Sequence, residues 1–147
     1  MKDIPLHIYV NHWPSNYGGL ERGIVRRSFA ADVLRKAIDD ILKKDELANI
    51  ILMGDFNEGP MGGSVNGILN STIDKLETED SELKLWNPMA PIIGVENGGT
   101  SKYRGVDYVI DQFIVSRGLI DNMGLELIPG SVKVLNKPKY RQQEGDF

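Results

Sequence analysis

The sequence predicts an α/β fold, preferred over α+β, and three observations carry that prediction. A short apolar run, Ile4–Val10, is followed by a long amphipathic pattern from Leu20 to Lys44 and then by a second apolar run, Asn49–Met53. Strand, long helix, strand is the signature of a βαβ unit, whose two strands lie parallel in one sheet. A third apolar run, Tyr108–Val115, arrives after loops rather than after a second long helix, so the sheet is expected to be mixed.

Taken in order, Ile4–Val10 is rich in Ile, Leu, Tyr and Val and reads as a buried strand. A domain opening on such a strand with no lead-in is expected to be one part of a larger unit. Pro14–Gly19 is loop material. In the helical pattern, Ile24, Ala31, Leu34, Ile38, Ile41 and Leu42 recur near the 3.6-residue period of one helix face. Asp39 with Lys43, and Asp40 with Lys44, place the acid four residues before the base, the better orientation. Both lysines then complement the negative end of the helix dipole. Asn49–Met53 reads as a second buried strand ending at Gly54. Glu58–Gly63 is a glycine-rich loop, and Ser64–Leu69 begins a short helix. Thr72–Glu82 is polar and acidic and is expected to be exposed. Pro88, Pro91, Gly94, Gly98 and Gly99 keep Trp86–Thr100 irregular. Tyr108–Val115 reads as a strand apolar on both faces. Leu125–Ile128 and Val132–Leu135 are expected to pair as a hairpin across Pro129–Gly130. Asn136–Phe147 is polar.

Composition bounds the function. A chain of 147 residues supports one domain with a real core. Its 41% hydrophobic and 26% charged residues are those of a soluble globular protein. A net charge of -4 argues against a protein held on long nucleic acid by bulk charge, since duplex binding wants a basic face. The absence of cysteine excludes disulfides, thiolate metal sites and Cys nucleophiles. No apolar run approaches the roughly 18 residues of a membrane span. Asp3, Pro5 and His7 interrupt what would be the apolar core of a secretory signal.

The residues able to do chemistry gather where strands end. Asp55 and Asn57 follow the second strand, and ligand sites of α/β sheets collect at the carboxyl ends of strands. In an extended segment both face one way and Phe56 faces the core. Together they can orient a water, hold a hard cation through oxygen, or contact a phosphoryl oxygen. Asp and Asn are also ordinary turn formers. His12 ends the first strand within Asn11-His12-Trp13-Pro14-Ser15 and is expected to face that pair. Its imidazole can bind a phosphoryl oxygen or transfer a proton, or be a His satisfied by backbone. His7, in mid-strand, takes the structural reading. Asp111 lies inside an otherwise apolar strand, where a charge demands a partner. Ser101-Lys102-Tyr103-Arg104 is basic and aromatic, either an anion contact through Arg104 or a solvated loop. Trp13 and Tyr17 can stack on a substrate ring or cover the core.

The order strand–NHWPS (Asn11–Ser15), long helix, strand–GDFN (Gly54–Asn57), strand–IDQFIVS (Ile110–Ser116) resembles the endonuclease/exonuclease/phosphatase (DNase I-like) superfamily over nearly the whole chain. That group includes DNase I-like nucleases, abasic-site endonucleases, inositol polyphosphate 5-phosphatases and neutral sphingomyelinases. The resemblance implies a portion of a four-layer α/β sandwich, a mixed sheet with flanking helices forming one half of the two-sheet domain. Residues 1–147 would then be a single incomplete domain. It implies metal-dependent phosphoester hydrolysis with magnesium, or manganese in its place. By position His12 would contact phosphate, with Asn11, Ser15 and Arg104 as further substrate contacts. Asp55 would orient or deprotonate water, and Asn57 would bind phosphate. Asp55 and Asn57 would also serve as metal ligands, and Asp111 would orient a catalytic His. The family's early Asn, its metal-binding Glu and its closing Ser-Asp-His have no counterpart here, and no His follows residue 12. The chain alone is therefore expected to be weakly active or inactive, and to associate through an uncovered sheet face. The alternative is a non-catalytic paralogue that binds a phosphorylated ligand or a protein partner.

Overall fold

The computed structural model describes residues 3–96, 98–135 and 137. β1 (Leu6–His12) leads through a loop into α1 (Leu20–Leu42) and then β2 (Asn49–Asp55). A π-helical turn at Gly63–Ile68 precedes β3 (Ser71–Thr72), α2 (Lys75–Glu79) and β4 (Leu85–Trp86). A hairpin of β5 (Ser101–Tyr103) and β6 (Val106–Tyr108) leads to β7 (Asp111–Val115). Five strands form a mixed sheet in the order β1-β2-β7-β4-β3, and β5-β6 stands apart as its own two-stranded sheet. β1 and β2 are parallel, as a βαβ unit requires, and β7 runs antiparallel to β2. The α/β prediction is borne out.

The main core lies between α1 and one face of the sheet. Ala31, Leu34, Ile38 and Leu42 from α1 meet Ile50 and Leu52 of β2, Ile114 of β7 and Leu85 of β4, all buried. On the opposite face Val115, Leu119 and Ile120 form a smaller cluster with Ile51, Trp86 and Leu127.

Several local expectations need correction. β1 is not buried. Among the described residues it pairs only with β2, and Leu6, Ile8, Val10 and His12 face the side that α1 does not cover. Ile24 is exposed, while Arg27 and Arg35 occupy the buried stripe of α1. Asp39 accepts from Arg35 rather than pairing with Lys43, which reaches Asp40 at 3.4 Å. Thr72–Glu82 is not simply exposed, because Thr72 and Thr78 are buried where β3 and α2 pack. Tyr108–Val115 is two strands. β6 ends at Tyr108, and β7 alternates, burying Gln112 and Ile114 but exposing Asp111 and Phe113. The hairpin across Pro129–Gly130 does not form among the described residues. Leu127 N–H is taken by Leu119 C=O at 2.9 Å, which docks this segment on the small cluster instead. Except for Lys137, the polar stretch Asn136–Phe147 lies outside the described residues.

Candidate functional site

The parallel pairing of β1 with β2 brings their carboxyl ends to one edge, with His12 opposite Asp55. The antiparallel pairing of β7 then sets Asp111 opposite Asp55 from the other side. Directly opposed residues share a face. His12, Asp55 and Asp111 thus form one row across three strands, on the face away from α1.

The approach of β2 to β1 at this edge depends on Gly54. Its φ is +123°, and a Cβ there would run into the Asn11 carbonyl oxygen. No L side chain fits that conformation and that space together. The chain then bends through Asp55-Phe56-Asn57. Phe56 is fully buried, and its N–H donates to Ile110 C=O at 2.8 Å. Its ring meets the edge of Trp13 at 4.8 Å between centroids. Asp55 Oδ1 accepts from the Asn57 N–H at 2.8 Å, an Asx turn that leaves Oδ2 free for outside partners. That turn holds Asn57 at φ 49°, a left-handed conformation Asn tolerates.

His12 Nε2 stands 3.7 Å from Asp55 Oδ2, with the imidazole 79% and the carboxylate 29% exposed. This is beyond direct hydrogen-bond range. Asn57 Nδ2 donates to Trp13 C=O at 2.9 Å, while Trp13 N–H donates to Asp55 C=O at 2.8 Å. The His12 and Asp55 loops are thereby stitched together by backbone and side chain. Asn57 keeps its carbonyl oxygen and a second N–H for other partners.

Other predicted residues fall elsewhere. Asn11 sits on the other face of β1 from His12, and its Oδ1 accepts from Trp13 Nε1 at 3.2 Å. Ser15 Oγ accepts from Tyr17 N–H in an exposed turn. Arg104 and Gly105, with φ of 50° and 80°, form the tip of the β5-β6 hairpin, and the Arg104 guanidinium lies over the Tyr103 ring. The hairpin base reaches the row, since Thr100 Oγ1 accepts from Asp111 N–H at 3.0 Å. Trp13 covers the core and Tyr17 is exposed. Asp111, read as a buried charge needing a partner, is exposed because it falls on the uncovered side of an alternating strand.

Asp55 and Asp111 are like charges directly opposed in an antiparallel pair, an arrangement that destabilises a sheet unless a cation lies nearby. Among the described residues no three His, Asp or Glu side chains converge as a metal cage. The donors present at the row, the Asp55 and Asp111 carboxylates and the Asn57 amide oxygen, are hard oxygens of the type that divalent cations such as magnesium accept. Beside Asp111 a cavity of about 350 Å³ opens on the same face, walled by Val10, Met53, Phe113, Val132 and Val134.

Reading the sequence missed Arg27, Glu58 and Gln112, which hold these loops from behind. The signal was a charged residue on the apolar stripe of α1.

The edge of this mixed sheet thus presents one histidine and two carboxylates on a single face. The model of the Endonuclease/Exonuclease/phosphatase family matches residues 1–147, and the chain belongs to that family of phosphoesterase- and nuclease-type hydrolases. Neither a curated protein nor a solved structure matches the chain. No helix among the described residues is long and apolar enough to cross a membrane.

Proposed function

We propose that this chain supplies the His12–Asp55–Asn57–Asp111 part of a metal-dependent phosphoester hydrolase, a phosphodiesterase or phosphatase using magnesium, with manganese as a substitute. The observation that carries the reading is the cross-strand row of His12, Asp55 and Asp111.

Asp55 Oδ2 orients a water and accepts its proton. His12, across a 3.7 Å gap, contacts a phosphoryl oxygen. The free N–H of Asn57 binds a second one. Asp55 and Asn57 Oδ1, with Asp111 alongside, would hold the metal, which when bound polarises the phosphoryl oxygen and acidifies water. Most of an octahedral shell would then come from water and substrate, so binding is weak and this stretch of the domain turns over slowly by itself. The 350 Å³ cavity has the size of a small-ligand pocket and favours a compact ester over a long duplex, as does the net charge of -4.

The test is magnesium-dependent hydrolysis of bis-p-nitrophenyl phosphate by this chain and by Asp55→Asn and His12→Ala. Slow turnover that falls on the order of 10²-fold in either variant supports the reading. Equal rates in all three sink it.

A second reading is a non-catalytic binder of a phosphorylated ligand or of a protein, favoured by the strong exposure of His12. Phosphate binding lost in His12→Ala, without turnover under any metal, would select it. Exposed Ile8, Val10 and Phe113 support self-association through the uncovered face, and a concentration-dependent mass in sedimentation would register it.

A further inference from the structure

Arg27 lies in the middle of α1 and is only 3% exposed. A guanidinium buried there is unfavourable unless it is paired and hydrogen-bonded. Its Nε donates to Glu58 Oε2 at 3.2 Å, and its Nη1 donates to Pro14 C=O at 3.1 Å and Asn16 Oδ1 at 2.9 Å. One helix side chain therefore grips two loops. Pro14 and Asn16 follow His12, and Glu58 follows Asn57.

Glu58 is held from three directions. Its second carboxylate oxygen accepts from Ser64 N–H at 3.1 Å. Its backbone C=O accepts from Gln112 Nε2 at 2.5 Å, and Gln112 Oε1 accepts from Asn87 Nδ2 at 2.6 Å. Space has been cleared for the fork. A Cβ on Gly23 would lie 2.5 Å from Asn16 Oδ1, and one on Gly62 would collide with the Glu58 side chain.

A core that needed only packing would hold an apolar side chain here, since apolar replacement of a buried ion pair is often neutral or stabilising. We propose that Arg27 and Glu58 are positioning residues, which fix the separation between His12 on one loop and Asp55 with Asn57 on the other. In the hydrolase reading above, on which the catalytic half of this proposal rests, misplacement by about 1 Å is enough to cost on the order of 10²-fold in rate.

The experiment uses the full chain with Arg27→Lys, Glu58→Gln and the apolar double variant Arg27→Met with Glu58→Leu. Three readouts are taken: the melting temperature, kcat and KM on bis-p-nitrophenyl phosphate with magnesium, and the indole N–H resonances of Trp13 and Trp86. Trp13 sits between the two loops, and Trp86 lies on β4, outside both of them. The expected result is a melting temperature near wild type in the double variant, a shifted Trp13 resonance and an unmoved Trp86 resonance. kcat falls at least tenfold with KM within twofold, and Arg27→Lys, which keeps one charged donor, recovers part of the loss. An unmoved Trp13 resonance in folded variants overturns the proposal, as does a moved Trp13 with unchanged kcat. If the double variant does not fold, the two single variants decide by the same criteria. If wild type shows no turnover, the hydrolase reading fails by itself, and the Trp13 resonance still decides whether the pair holds the loops.

Discussion

The two faces of β2 are built from the same seven residues and meet opposite surroundings. On one side Ile50 and Leu52 are sealed beneath α1 together with Ile114. On the other, Ile51, Met53 and Asp55 share a surface with Val10, which is 79% exposed, and with exposed Ile8 and Phe113. Most of the buried packing lies on the covered face, with a smaller buried cluster of Val115, Leu119 and Ile120 beside Ile51 on the other. The charged row resides on the uncovered one, where apolar neighbours surround carboxylates without closing over them. The two properties are therefore separable by substitution.

The largest effect is expected at Gly54, which serves both faces by letting β2 approach β1. Gly54→Ala adds strain at φ +123° and a collision with the Asn11 carbonyl, together on the order of 3 kcal/mol or more. Thermal unfolding should show a large drop or loss of the cooperative transition. Leu52→Ala on the covered face should cost about 2–5 kcal/mol, while Val10→Ala on the uncovered face should stay within about 0.5 kcal/mol. Equal losses in urea denaturation would erase the distinction between the faces. Asp111→Asn should raise stability by roughly 0.2–1 kcal/mol in metal-free buffer, because it removes the like charge opposite Asp55. Magnesium should then stabilise wild type more than the variant, and the reverse order would remove Asp111 from any cation site.

The smallest effect lies far from the row. Lys84 hydrogen-bonds Glu77 and holds its carboxyl below the ordinary 4.5, with the Thr72 hydroxyl assisting. A carboxyl lowered in the folded state contributes stability that is fully present above its unfolded value. That contribution is lost as pH falls through the lowered one. Lys84→Met should return the Glu77 titration towards its ordinary position, read by carbon NMR, and leave stability at neutral pH nearly unchanged.

The βαβ unit was legible because periodicity reports burial over long segments. The apolar recurrences of α1 and the runs before Asn11 and Gly54 needed no tertiary information. β3 and β4, of two residues each, are too short to show a period. The β5-β6 hairpin had a local signal, Arg104-Gly105 between β-forming residues, that a reading for basic character passed over. The strand around Asp111 looks uniformly apolar in sequence, and only the register tells which alternate positions are covered. The row itself was partly legible. His12 facing Asp55 follows from a parallel βαβ edge, whereas the alignment of Asp111 depends on the antiparallel register of β7. Arg27 is not legible because a charge on an apolar stripe reads as noise until its partners, 11 to 31 residues away, are known.

The mixed sheet also imposes an order in time. β1 and β2 find each other across a single helix, but β2 must wait for β7, whose partner positions lie more than fifty residues along the chain. Contacts of long sequence separation form against a larger loop entropy and govern folding rate. Asp55 and Asp111 repel only once β7 has docked. A divalent cation should therefore quicken that closing step while leaving the earlier association of β1, α1 and β2 untouched.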